Sequence, residues 1–227
     1  MKLPPQRRIC ISIDRWRNER IANAEAISIV KDRDKPLELA IYNLGNNQPD
    51  PFLNVSVTVF KDMSRITCLG AFLVSQKVIK RMVSQQIIHS NQTLIFTGAT
   101  ANLHGQANFS AFSANKDLLR MLAQSIAGEF GPKGIHMTHV IIDGVVDGEK
   151  VCKRFPNLLE SPGDHGALKL DEIAKVYLTL HSHKHGSDTG NWSRGIKGQL
   201  VKVQENAINR IPCIEHVLEI QEEGGRT

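Results

Sequence analysis

Thr100, His104 and Lys116 fall within one short stretch, LIFTGATANLHGQANFSAFSANK (94–116). A hydroxyl, an imidazole and an amine so close together can bind a polar ligand and move protons. The stretch opens on the apolar run Leu94-Ile95-Phe96 and stops at Thr97-Gly98-Ala99-Thr100, the pattern of a buried strand ending in a loop. After Gly105 the period becomes helical, with Phe109, Phe112, Leu118, Leu119, Leu122 and Ile126 near one face. Strand, small-residue loop and helix is the arrangement that places ligands at the carboxyl ends of strands in open α/β proteins.

Other reactive groups are more scattered. His181-x-His183-x-His185 has the alternation of a strand face that could hold a metal. It follows a helical pattern, however, with only Asp188 as a nearby carboxylate, which fits a solvated helix end. No metal is expected. Asp143 and Asp147 could pair as carboxylates or simply solubilise a loop. Trp16 and Trp192 form no stacking array, and the net charge of +5 comes without a dominant basic block, so no nucleic-acid partner is expected. Cys10, Cys68, Cys152 and Cys213 are widely spaced, as in a cytoplasmic protein with reduced thiols. No apolar run reaches the roughly 18 residues of a membrane span, and MKLPPQRR is followed by no apolar segment that would make it a secretory signal. No membrane association is expected.

The elements that must position these groups alternate. Arg8–Asp14 reads as a short strand ending in an acid, Arg15–Asp34 as an amphipathic helix, and Leu37–Tyr42 as a buried strand. A long helix is predicted from about Val55 to Ser84, with Phe60, Met63, Ile66, Leu69, Leu73, Val74 and Val78 on its apolar side. Strand Gln92–Thr97 and helix Asn108–Phe130 follow. Gly131-Pro132-Lys133-Gly134 stops that helix, and Ile135–Ile142 is a further strand. Val145–Leu170 is irregular, Asp171–His181 is a helix with Asp171 as its N-cap, and Gln199–Val203 is a last strand. Strands alternating with helices predict a parallel sheet covered on both faces, in one domain spanning residues 1–227.

The 94–116 stretch resembles the active-site segment of the short-chain dehydrogenase/reductase family. That family has a Ser after the strand and Tyr-x-x-x-Lys at the start of the next helix. Phe112-Ser113-Ala114-Asn115-Lys116 falls on the second motif, and Ala99, thirteen residues before Phe112, falls on the Ser. Thr67 takes the place of a catalytic Asn in the preceding helix. Asn43-Leu44-Gly45 is similar to the family's Asn-x-Gly beside the cofactor, and Asp143-Gly144 occupies the place of its Pro-Gly. The wording FTGAT and IIDG is closest to an atypical branch in which Phe also replaces Tyr.

The resemblance implies a three-layer αβα Rossmann-like fold with a mainly parallel sheet. It also implies NAD or NADP as cofactor, approached by Asp14, Asn43, Gly45, Lys116 and Gly144. In the family the Tyr moves a proton, the Lys lowers the Tyr pKa and holds the nicotinamide ribose, the Ser orients the carbonyl, and the Asn supports a proton-relaying water. Of these only Lys116 is kept; a phenyl ring at Phe112 transfers no proton. The sequence has no Gly-x-x-x-Gly-x-Gly near its start and its first glycine is Gly45. The expectation is therefore an N-terminally truncated version of the fold, lacking the first two βα units and the phosphate-binding turn. Its Leu39–Tyr42 strand would then have an exposed edge, which Arg8–Ile13 or another chain could cover.

Two functions stay open: an atypical NAD(P)-dependent oxidoreductase of unknown substrate, or a non-catalytic relative with no cofactor, acting as a scaffold or dimerising protein. The family commonly pairs through its two long helices, so a homodimer through Val55–Ser84 and Asn108–Phe130 is expected. Phe72, Val83 and Met121 are candidates for the apolar stripe.

Overall fold

In the computed structural model the described residues are 36–45, 47–85, 92–142, 144, 146, 168–182 and 202–205. They form a four-stranded sheet in the order β1 (Leu39–Tyr42), β2 (Gln92–Ala99), β3 (Ile135–Ile142), β4 (Lys202–Glu205). β1 and β2 run parallel with Tyr42 opposite Phe96. β2 and β3 run parallel along their whole length, from Gln92 opposite Ile135 to Ala99 opposite Ile142. β4 is antiparallel to β3, with Val140 opposite Val203. The predicted last strand, Gln199–Val203, overlaps β4 at residues 202–203, and its residues 199–201 lie outside the described residues; among the described residues β4 is at the sheet edge, where a reversed strand needs neighbours on one side only. Among the described residues β1 pairs on one side only. The predicted strand Arg8–Asp14 and helix Arg15–Asp34 lie outside the described residues.

Alternation along the strands builds two cores. Of the helices α1 (Val57–Ser64), α2 (Gly70–Ser84) and α3 (Ser110–Phe130), the last two meet Tyr42, Leu94, Phe96 and Met137 on one face. Ala71, Val74, Val78 and Met82 supply the contact from α2, and Leu119, Ala123 and Ile126 supply it from α3. On the other face Leu39, Ile95 and Val140 pack on Leu168 and on Tyr177 and Leu180 of helix α4 (Leu170–Ser182). Helices on both faces of a mainly parallel sheet give the three layers that were expected.

Local chemistry fixes the element ends. Ser56 caps α1 by accepting from the Val59 amide at 3.2 Å. The Gln85 side-chain amide makes reciprocal bonds to the backbone of Leu37, at 2.6 and 3.1 Å, tying the end of α2 to the approach of β1. Gln92 Nε2 donates to the Met82 carbonyl at 2.9 Å, satisfying one of the carbonyls left over at the end of that helix.

Three helix readings need correction. The long helix is not uniform, because a π-turn, Arg65–Leu69, separates α1 from α2. With that extra residue in the turn, Phe60 and Leu69 face solvent, while Met63, Val74 and Val78 are buried as predicted. In α3 Leu118 is exposed rather than packed. In α4 the Glu172 and Ile173 amides both donate to the Lys169 carbonyl, so Asp171 is not the cap. It lies in the first turn, where its charge favours the positive end of the helix.

Candidate active site

The carboxyl ends of β1 and β2 and the first turns of α3 converge on Lys116. Its Nζ donates to the Thr97 carbonyl at 2.8 Å, and the side chain is only 5 % exposed. A Cβ added at Gly45 would come 3.1 Å from the same Nζ, so the loop after β1 lies tight against the amine and a larger residue would press on it. Burial lowers the Lys116 pKa to about 8, because an ammonium loses its hydration there. The Phe112 ring stands 5.8 Å from Nζ and stacks edge-on with Phe109, with ring centres 6.5 Å apart. Where the family resemblance puts a hydroxyl beside the lysine, this chain has an aromatic wall.

The other predicted positions have these surroundings. Ala99 ends β2 and is half-buried, contributing no polar atom. Thr67 is buried within the π-turn. Asn43 and Gly45 are exposed at the end of β1. Gly144 follows β3 with φ 149°, and a Cβ there would come 3.1 Å from Leu168. Thr100 opens a 3-10 turn, Thr100–Asn102, and His104 is exposed just after it. Asp14, Asp143 and Asp147 lie outside the described residues, as do His183 and His185. His181 Nδ1 pairs with the Thr93 hydroxyl at 3.0 Å. Among the described residues no three His, Cys, Asp or Glu side chains gather as metal ligands.

One participant escaped the sequence reading. His139 of β3 is 2 % exposed, and among the described residues neither ring nitrogen has a hydrogen-bond partner. A Cβ on Gly98 would fall 2.3 Å from its Cε1 and 2.6 Å from its Nε2, so glycine at 98 is what admits the imidazole. Burial, then the positive charges of Lys116 and Arg120, push the His139 pKa down to about 3. Its imidazole is therefore neutral at pH 7. Asn102 and the Ser113 hydroxyl are also buried, without partners at their side-chain polar atoms. A glycine inside an otherwise apolar strand was the available signal, since such a glycine marks a close approach.

Comparison with known proteins decides the lineage. A family model described as short chain dehydrogenase matches residues 7–154. This chain belongs to that family. It is 28% identical over 115 residues to an uncharacterized oxidoreductase, YuxG, of Bacillus subtilis, covering 51% of this chain and 16% of that protein. It is 27% identical over 115 residues to 2-dehydro-3-deoxy-D-gluconate 5-dehydrogenase of Formosa agariphila, covering 51% of this chain and 42% of that protein. The chain thus spans less than half the length of these two curated relatives. Its fold is similar to that of ElxO with NADP bound, with TM-score 0.63, 18% identity and coverage of 74% of this chain and 68% of that one. It is similar too to a 3-ketoacyl-(acyl-carrier-protein) reductase of Brucella melitensis complexed with NADH. That match has TM-score 0.60, 19% identity and coverage of 70% and 67%. The Rossmann-like architecture is therefore shared, and the chain is oxidoreductase-like by family. Among the described residues no helix is long and apolar enough to cross a membrane.

Proposed function

We propose that this chain keeps the framework of an NAD(P)-dependent oxidoreductase but is impaired in proton transfer and in holding the cofactor. One observation carries the reading: the Lys116 amine is buried, bonded to the Thr97 carbonyl, and faced by the Phe112 ring. The residues present fit the nicotinamide-ribose end of NAD or NADP, since Gly45 and the amine form a cradle that a Cβ would fill. Lys116, Asn43, Gly45 and Gly144 would hold that end, and the bound group would supply hydride transfer. The chain's own share of the chemistry is weaker. Phe112 donates no proton and Ala99 orients no carbonyl. A positioned acid is worth about a hundred- to ten-thousand-fold in rate. Lys116 gives one of its three N–H donors to the Thr97 carbonyl and has two more to offer a ribose hydroxyl. The site lies on a chain we place in the cytoplasm, on the strength of its scattered thiols.

Titration with NADH and NADPH, followed by nicotinamide fluorescence, tests this. The expected result is weak binding without saturation and no turnover of carbonyl substrates. The Phe112→Tyr, Ala99→Ser double variant should gain turnover if proton transfer is what the site has lost. Tight, saturable binding together with turnover by the unaltered chain would overturn the proposal.

A second reading, a non-catalytic protein that pairs with its own copy, is favoured by the outward stripe on α2 and α3. Phe72, Val83 and Met121 are 44 %, 46 % and 42 % exposed, which leaves large apolar side chains in water on both helices. Sedimentation should give the mass of a dimer that Phe72→Glu, Met121→Glu reduces to a monomer. A monomer at every concentration would remove this reading.

A further inference from the structure

The π-turn has an anchor outside its own helix. At its end the Gly70 amide donates to the Arg65 carbonyl, five residues back. In a regular α-helix that amide would serve Ile66, four residues back. The Ile66 carbonyl instead accepts from the hydroxyl of Tyr42, the last residue of β1. Tyr42 is fully buried and packs edge-on against Phe96, with ring centres 5.9 Å apart. Burial raises its pKa well above the usual tyrosine range, so the hydroxyl keeps its proton to donate.

We infer that Tyr42 is a positioning residue: its hydroxyl replaces the missing helical donor at Ile66 and holds the π-turn open. The turn sets the register of everything before it. Met63, Thr67, Ala71 and Ser75 are buried at steps of four, a spacing that a strict 3.6-residue period would carry gradually off the core face. The widened turn keeps Met63 and Thr67 facing inward while leaving Leu69 and Phe72 outside. Tyr42 also leads directly into Asn43–Gly45, whose glycine abuts Lys116. One phenol therefore joins the loop that abuts Lys116 to the π-turn that carries Thr67. Single inserted π-turns recur at functional sites because they cost helix regularity and persist where a side chain must be re-aimed.

Cys68 reports on this register, since it lies inside the turn and is half-exposed. The test uses the full chain with Cys10, Cys152 and Cys213 changed to Ser, so that Cys68 is the single thiol. Tyr42→Phe keeps the ring and removes the donor. It should change the rate of Cys68 labelling by a thiol reagent by about threefold or more, because the turn relaxes towards α geometry. It should also shift the amide resonances of residues 65–70. Phe96→Leu loses the ring contact but keeps the hydroxyl; it should lower stability and leave Cys68 labelling at the wild-type rate. Wild-type labelling in Tyr42→Phe, or an equal change in Phe96→Leu, would overturn the inference. If Tyr42→Phe does not fold, the unaltered chain with labelled tyrosine rings is decisive. A slowly exchanging Tyr42 hydroxyl proton close to Ile66 supports the role, and a rapidly exchanging one rules it out.

Discussion

Helix α3 buries two chemistries. Its second half buries Leu119, Ala123, Ile126 and Ala127 against the sheet. Its first half buries Ser113, Asn115 and Lys116. The apolar half is ordinary core. The polar half keeps an ammonium-forming amine out of water, with the unpartnered Ser113 hydroxyl and Asn115 Oδ1 nearby in the chain and His139 across on β3. Such groups cost stability unless bonded. The difference teaches that this fold supports a buried polar centre whose cost is shared between the first turns of one helix and His139 on β3.

Variants that break the contrast rank by size. Leu119→Ala, in the apolar half, should cost about 2–5 kcal/mol of unfolding free energy, from lost burial and the cavity left behind. Denaturant unfolding measures it. Lys116→Met, in the polar half, should move the other way at pH 7, by up to roughly 3 kcal/mol, because it removes a charge that burial disfavours. The pH dependence carries its signature. With the folded pKa at about 8 and the unfolded value at 10.5, the unfolded chain binds more protons between these limits. Stability should therefore rise from pH 8 to 10.5 and be lowest, as far as Lys116 is concerned, below pH 8. Lys116→Met should flatten that rise. An unchanged slope would mean that the amine titrates normally and is not held as described.

The His139 side of the centre gives the opposite end of the pH scale. Its folded pKa near 3 lies below the ordinary 6.5, so the stability present above pH 6.5 should drain away as the pH falls towards 3. Gly98→Ala tests the packing that creates this state. Its methyl would overlap the imidazole, costing about 1–3 kcal/mol, and His139→Ala in the same chain should recover most of that loss. A clash with backbone alone would show no recovery. The smallest effect belongs to the opposite face of the sheet. There the Thr97 hydroxyl and Tyr177 Oη pair at 2.8 Å, and Thr97→Val should cost about 1 kcal/mol by the same unfolding measurement. It should leave the Lys116 slope intact, since Lys116 uses the Thr97 main chain.

Much of the framework was legible in residue order. Leu94-Ile95-Phe96 followed by small residues gave β2, Ile135–Ile142 gave β3, and Gly131–Gly134 marked the end of α3. The last of these is confirmed by Gly134 at φ 85°, which only a glycine adopts without strain. The position of Lys116 on the first turns of α3 was legible for the same reason: periodicity and stop signals are local. The π-turn was not, because Arg65-Ile66-Thr67-Cys68-Leu69 carries no break in composition. Its cause sits at Tyr42, on a strand, and acts through a hydrogen bond between elements.

The amino-acid order alone therefore determined the alternating strands and helices, and the presence of Lys116, Phe112 and Ala99 at the positions that the family resemblance singles out. Only the tertiary structure decided that β4 runs antiparallel, that Lys116 is buried and donates to the Thr97 carbonyl, and that His139 fills the space left by Gly98. Periodicity records which face of an element avoids water. The partner a buried polar atom finds depends on contacts between residues far apart in the chain.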